Sequence, residues 1–474
     1  MNWKNRRVNL WVFMITVVIF WTIGTGFYRD LSASNEETYK GLKVFADVIE
    51  LIEKTYVDEV DSKELIQNAI QGMVHSLDPH SAFLNAEDYK ELQVDTQGEF
   101  TGIGIQITLK DDLVTVISPI EGTPADRAGV QAGDKIVRVN GEAIKDLQEA
   151  VKKMRGPIGT KVTVTVLRKG EIEPLEFSLT REKIPIKSVK FSFLKPGYAF
   201  IRITNFSINT AQELKEALKT LESGKEPIKG LVLDLRNNPG GLLDQAVEIS
   251  DYFLSKGNIV SIKGRDTRNN RVYNAHSNGE DRYYPMVVLI NGGSASASEI
   301  VAGAFQDNQR ALILGTTSFG KGSVQSVETL RDGNGLKLTI ARYYTPSGRS
   351  IQAQGIEPDI LVERQSETPD KKNSTGQDQS MAISPWGIKQ IGQEEQNPFR
   401  EKDLKNHLDA EPSQKNVEKP DAGNKEKDSQ KTLESPEFES SVGPLDIEKL
   451  MSDNQIIRAI EILVGYDILK KKGS

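Results

Sequence analysis

Four short runs in which nearly every residue is apolar, 198–203 (YAFIRI), 230–235 (GLVLDL), 286–290 (MVVLI) and 311–314 (ALIL), constrain this chain more than any other feature. A strand that is apolar on both faces must be covered on both, and the stretches 210–221, 243–254 and 297–306 carry apolar residues at helical spacing. Strands alternating with helices predict an α/β domain over 198–362. The chain has 474 residues. At about 150 residues per domain, roughly three folded units are expected.

The other segments divide by composition. Residues 10–28 (LWVFMITVVIFWTIGTGFY) are uncharged and follow Lys4, Arg6 and Arg7. That pattern predicts a membrane helix within 1–30, with its N-terminus in the cytoplasm and everything after it on the extracytoplasmic, periplasmic side. Ser32-Ala33-Ser34 also offers a weak signal-peptide cleavage site, so a retained anchor in the inner or cytoplasmic membrane and a cleaved signal both stay open. Over 36–94 apolar residues recur at helical spacing, as in Leu42, Phe45, Val48, Ile49 and Ile52, and again in Leu65, Ile66, Ala69, Ile70 and Met73. Short alternating runs punctuated by glycine predict a compact β-rich module between 100 and 181. Residues 364–442 are almost entirely polar apart from an island at 382–391 (AISPWGIKQI), and cannot bury enough apolar area to offset chain ordering, so a disordered linker is expected. Helical periodicity returns over 444–470 in Leu450, Ile456, Ile457, Ala459, Ile460, Leu463 and Val464.

Composition narrows the chemistry. With no cysteine, thiol nucleophiles, thiolate metal sites and disulfide scaffolds are excluded, and four histidines (His75, His80, His276, His407) leave few ways to build a histidine metal centre. A net charge of −7 argues against nucleic acid as a partner.

In the β module, Gly102-Ile103-Gly104-Ile105 opens a strand whose glycines let backbone N–H groups approach an anion. Gly122-Thr123-Pro124-Ala125, Ala128-Gly129-Val130, Gly133-Asp134 and Val137 to Gly141 follow. This order of strand, short helix, tight turn and hairpin resembles a PDZ domain of the kind found in bacterial proteases, over about 99–181. Such modules add a peptide to a sheet edge and capture its terminal carboxylate, which implies that Gly102, Ile103, Gly104 and Ile105 bind peptide and that Ile103 and Ile105 line the groove.

The run 286–290 leads through Asn291-Gly292-Gly293-Ser294-Ala295-Ser296-Ala297-Ser298-Glu299 into a helix. A serine on such a strand-to-helix turn stands where helix N–H groups face developing negative charge, although three serines qualify and a helix cap is the alternative for each. After 311–314 comes Gly315-Thr316-Thr317-Ser318-Phe319-Gly320-Lys321-Gly322-Ser323-Val324-Gln325, close to a phosphate-binding loop but with Gly322 where a magnesium-binding Ser or Thr is required.

Taken together with 230–243 (GLVLDLRNNPGGLL), these motifs resemble the carboxyl-terminal processing proteases, tail-specific serine peptidases of the S41 type, from 77–81 (LDPHS) to 356–360 (IEPDI) and in the last helix. The resemblance implies Ser296 as nucleophile, Lys321 as its base and Gln325 as the partner of that lysine. A lysine base must be neutral near pH 7, so Lys321 is expected to be desolvated. The oxyanion would be held by the N–H of Ala297 and that of Gly240 or Gly241. Against this stand a Ser-His-Asp triad through His80 or His276, a nucleotide-binding loop, and an idle PDZ scaffold that would lack Ser296 or Lys321. Arg155, just after the amphipathic stretch 147–154, either reports groove occupancy to the protease through a charge-assisted hydrogen bond or is an ordinary surface arginine.

The expected protein is a multidomain α+β and α/β chain. It comprises a membrane helix (1–30), a helical segment (36–94), a PDZ module (99–181), an α/β serine protease core (186–363, with 77–84 packing on it), a disordered linker (364–442) and a C-terminal helix (444–470). It would cleave proteins or peptides with apolar C-termini, without metal or organic cofactor. The family often pairs through flanking helices, so a homodimer through 36–92 and 450–466 is also implied.

Overall fold

A computed structural model describes residues 36–110, 113–224, 226–277, 282–365, 400–409 and 445–473. The apolar run 10–28 and the island 382–391 lie outside the described residues, and among those described no helix is long and apolar enough to cross a membrane. The chain divides into two units at Ser76. The first holds helix α1 over residues 36–55 and α2 (Ser62–His75), whose N-cap Asp61 accepts a hydrogen bond from the Lys63 N–H. The apolar positions Leu42, Phe45 and Val48 on α1 are exposed.

The second unit begins with β1 (Ala82–Leu84), α3 (Ala86–Gln97) and β2 (Glu99–Gly102). The β module follows as β3 (Ile105–Lys110), β4 (Leu113–Pro119), α4 (Pro124–Arg127), β5 (Lys135–Val139), β6 (Glu142–Ala143), α5 (Leu147–Met154), β7 (Lys161–Leu167) and β8 (Leu175–Thr180). Its sheet runs β3-β4-β5-β7-β8 with β6 on β5, around a core of its own that includes Val116, Ile136, Val139, Val164 and Ala150. Gly102 and Ile103 do not open the module's strand as expected. Gly102 ends β2, which pairs with β9 (Glu182–Pro185) in a separate ribbon, and β3 starts at Ile105. Gly104, at φ 77°, makes the turn between them, and a Cβ there would stand 2.3 Å from the Thr123 side chain.

The α/β domain comprises β10 (Val189–Lys195), β11 (Tyr198–Ile203), α6 (Thr210–Glu222), β12 (Gly230–Asp234), α7 (Leu243–Asp251), β13 (Asn258–Gly264), β14 (Arg271–Asn274), β15 (Met286–Ile290), α8 (Ala297–Asp307), β16 (Leu312–Gly315), β17 (Ser323–Thr329), β18 (Gly335–Tyr344) and β19 (Ile360–Leu361). The main sheet runs β10-β11-β12-β15-β16-β19, parallel throughout except for β10. A second, antiparallel sheet runs β1-β18-β13-β14 with β17 on β18, and so carries residues 82–84 on the α/β domain. The all-apolar runs are explained by what covers each face. Ile201, Leu233, Val288 and Ile313 pack in the cluster that includes residues of α6, α7 and α8, while Phe200, Val232, Leu289 and Leu314 meet Ile456, Ala459, Ile460 and Leu463 of the last helix.

That helix, α10 (Asn454–Gly473), follows the short α9 (Ile447–Ser452) and seals the sheet. The expectation of disorder across 364–442 is corrected at 400–409, where Glu401–Asp403 forms a 3₁₀ turn and Glu401 is only 1% exposed. Its order comes from hydrogen bonds to distant residues, which composition does not register.

Candidate active site

β15 ends beside β12, and the chain turns through residues 291–296 into α8. Two of the three candidate serines are spent on holding this turn. The Ser294 hydroxyl donates to the Leu235 carbonyl (2.8 Å) and that of Ser298 to the Asn238 carbonyl (2.9 Å), which also accepts the Ala295 N–H (3.0 Å). Ser296 stands between them at φ 53°, ψ −112°, a backbone state costing a Cβ-bearing residue on the order of 1–3 kcal/mol unless its surroundings impose it. The bonds of Ser294, Ala295 and Ser298 impose it here.

Ser296 is also the N-cap of α8, so the capping alternative is right about position. The cap is made by Glu299, whose Oε2 accepts the Ser296 N–H (2.8 Å). The same oxygen accepts the N–H of Lys321 (2.9 Å), while Oε1 accepts the Gly320 N–H (2.7 Å) and the Ser318 hydroxyl (2.5 Å). One fully buried carboxylate thus ties the serine turn to the glycine-flanked lysine loop. Burial pushes the Glu299 carboxyl up to about 7 against the pull of these four hydrogen bonds. Composition and the peptidase resemblance assign Glu299 no role, and its one sequence signal is the Ser-x-x-Glu spacing of a capping box. These bonds also bear on the nucleotide-loop alternative, since the N–H groups such a loop would offer to phosphate are already held by a carboxylate.

Burial lowers the Lys321 amine below its ordinary value and Lys337 adds to the effect, while Glu401, Glu299 and Asp78 push it back up. The expected bond between Lys321 and Gln325 is absent among the described hydrogen bonds. β17 shifts register between Val324 and Gln325, and the Gln325 Nε2 is buried without a partner.

The loop 237–241 closes the other side of Ser296. A Cβ on Gly240 would lie 2.8 Å from the Ser296 Cβ and 2.9 Å from the Ala297 nitrogen, so only glycine fits, and its φ of 101° demands the same. The Gly240 N–H donates to Asn238 Oδ1 (2.9 Å). Gly241 pairs with Phe206 only through its neighbours: the Gly240 carbonyl accepts from Phe206, and the Leu242 N–H donates to the Phe206 carbonyl. This geometry turns the Gly241 N–H away from Phe206. Ala297, the first residue of α8, has an N–H that the helix itself cannot satisfy.

Neither candidate histidine is engaged with Ser296. His80 Nε2 lies 2.7 Å from Glu401 Oε2, and His276, 79% exposed, faces Asp251 at 3.8 Å.

In the β module, Ile103 is buried in the core at 2% exposure rather than lining an open groove, whereas Ile105 is half-buried beside α5. The side-chain partners of Arg155 are not in the lysine loop. Its guanidinium stands 3.8 Å from Glu91 on α3 and 5.6 Å from the centre of the Phe100 ring.

Comparison with known proteins bears on the whole arrangement. The model of peptidase family S41 matches residues 197–362, that of the PDZ domain 101–179, and one described as the activating protease CtpB N-terminal domain 26–88. The carboxy-terminal-processing protease of Bartonella bacilliformis is 47% identical over 363 residues, covering 74% of this chain and 83% of its own. A probable CtpA-like serine protease of Staphylococcus aureus is 38% identical over 367 residues, 76% of this chain and 73% of its own. Among solved structures, the photosystem II D1 C-terminal processing protease is similar over 67% of this chain and 92% of its own, at 33% identity and a TM-score of 0.40.

Proposed function

Because this chain belongs to the carboxy-terminal processing proteases of peptidase family S41, serine-type peptidases joined here to a PDZ domain, we propose that Ser296 is its nucleophile and Lys321 the base that activates it. The observation that carries the reading is the shared carboxylate oxygen of Glu299. It binds the N–H of both residues, so their backbones are held together while burial favours a neutral lysine. The neutral amine takes the Ser296 proton as Oγ attacks the scissile carbonyl, then returns it to the departing amine, and repeats the transfer with water to release the acyl group. The oxyanion accepts from the N–H of Ala297 and of Gly241, because the Gly240 N–H is engaged with Asn238. Gln325, with a buried amide nitrogen free to donate, suits a neutral amine as acceptor and would not suit an ammonium.

Apolar C-terminal tails of extracytoplasmic proteins are the proposed substrates, added to the edge formed by β3 beside α5, with residues 10–28 as membrane anchor and the helical flanks as dimer contacts. In the test, Ser296→Ala and Lys321→Ala each lower turnover of a short peptide at least about 10³-fold while tail binding and folding persist. Wild-type activity rises with pH through an apparent pKa below the roughly 10.4 of free lysine, and chelators have no effect. Near-normal turnover in Lys321→Ala, with loss in His80→Ala or His276→Ala, would overturn the assignment.

A further inference from the structure

Glu401 reaches the catalytic loop from residues 400–409, outside the α/β domain that supplies the rest of the site. Its N–H donates to the Phe319 carbonyl (3.1 Å), and its Oε1 accepts from Gln352 Nε2 (2.9 Å). Gln352 in turn accepts the Gly322 N–H through Oε1 (3.0 Å) and donates to the Leu408 carbonyl (3.1 Å). His80 Nε2 closes the seat at 2.9 and 2.7 Å from the two carboxylate oxygens. We propose that Glu401 is a positioning residue of this active site, a clamp that holds the Lys321 loop at Phe319 directly and at Gly322 through Gln352. Glu299 holds the two residues between them, Gly320 and Lys321, so two buried carboxylates from different parts of the chain divide four consecutive backbone positions. A lysine carried between two glycines has a mobile backbone of its own, and proton transfer to it requires its Nζ to come within hydrogen-bond reach of Ser296 Oγ in the reacting complex.

The clamp also has an electrostatic consequence. The charged groups acting on the Lys321 amine are Lys337 on β18, Glu401, Glu299 on α8 and Asp78 in the 77–81 turn, with His80 set against Glu401. Removing the Glu401 charge takes away one influence favouring the ammonium. More neutral lysine is then present at a given pH, and the ascending limb of the pH–rate profile moves to lower pH.

The inference rests on Lys321 as the base, so Lys321→Ala is run beside the full-length chain on the same short peptide. Glu401→Ala is expected to lower kcat roughly tenfold or more, with KM within about threefold and cooperative unfolding retained. Glu401→Gln keeps an oxygen for Gln352 and is expected to retain kcat within about threefold at its own optimum, with its ascending limb at lower pH than wild type. A Glu401→Ala enzyme with wild-type kcat, or a Glu401→Gln limb that does not move, overturns the proposal. Where Glu401→Ala fails to fold, the limb of Glu401→Gln decides alone. An inactive Lys321→Ala beside wild-type Glu401 variants removes the clamp and leaves the base, whereas an active Lys321→Ala removes both.

Discussion

A carboxylate that accepts four hydrogen bonds in a site closed to water, as Glu299 does, is stabilised by those donors and penalised by its own desolvation. Desolvation wins, because the carboxyl is pushed from 4.5 up to about 7. A group whose folded pKa is raised contributes stability in full below its unfolded value and loses it as pH rises through its folded value. The window here runs from 4.5 to about 7, and at about 1.4 kcal/mol per unit the loss is on the order of 3 kcal/mol. Glu299→Gln does not titrate and sets an amide NH₂ against two donors, so it is less stable than wild type at pH 5, and the gap narrows toward pH 8. Urea unfolding of both proteins at the two pH values measures it, and a gap that stays constant or widens would contradict a raised Glu299 carboxyl. Ser294, Ser296 and Ser298 are equivalent in composition and separate only by what their hydroxyls meet, since Ser294 and Ser298 bind carbonyls more than fifty residues away in sequence.

At the scale of elements, α3 stands between the PDZ helix α5 and the catalytic domain. Arg155 at the end of α5 faces Glu91 on α3, and Tyr89 on the same helix bonds Thr329 (2.7 Å) at the far end of β17, the strand that begins two residues after Lys321. These contacts connect α5 through α3 to the strand that follows Lys321, and of the two readings of Arg155 they supply an indirect link in place of a direct bond to the lysine loop. The pair is half-exposed and therefore weak, about 1 kcal/mol at most, so Arg155→Ala is expected to lower cleavage of a peptide too short for the groove by about two- to fivefold. Unchanged turnover of that peptide would reduce the PDZ domain to a tether. Gly104→Asp is a poor groove probe, because a side chain there strikes Thr123 and damages the module itself, whereas half-buried Ile105 offers a cleaner position.

Across the whole molecule the C-terminal helix is part of the protease core although a long polar stretch precedes it. Phe200, Val232, Val287 and Leu289, all at 0% exposure, are covered by Ile456, Ala459, Ile460 and Leu463. The buried Asp234–Arg236 pair reaches the same region through Asp453 (2.8 Å) and Gln455 (2.6 Å). Truncation before Leu445 is expected to yield aggregated protein, and Leu463→Ala to cost about 2–5 kcal/mol in urea unfolding. A truncated chain that stays soluble and fully active would show the sheet to be self-sufficient.

What the sequence determined by itself is local. Apolar runs with two covered faces specified the parallel sheet, glycine spacing specified the β module, and the motifs around Ser296 and Lys321 specified a peptidase resemblance. The tertiary structure decided what depends on partners distant in the chain. It separated Ser296 from its neighbours and, among the described hydrogen bonds, engaged the N–H of Gly240 and not that of Gly241. It turned Ile103 into the core, joined serine and lysine loops through Glu299, and seated Glu401 from a segment whose composition reads as tether. Each of these is a hydrogen bond or a burial created by long-range closure, and neither periodicity nor composition carries that information.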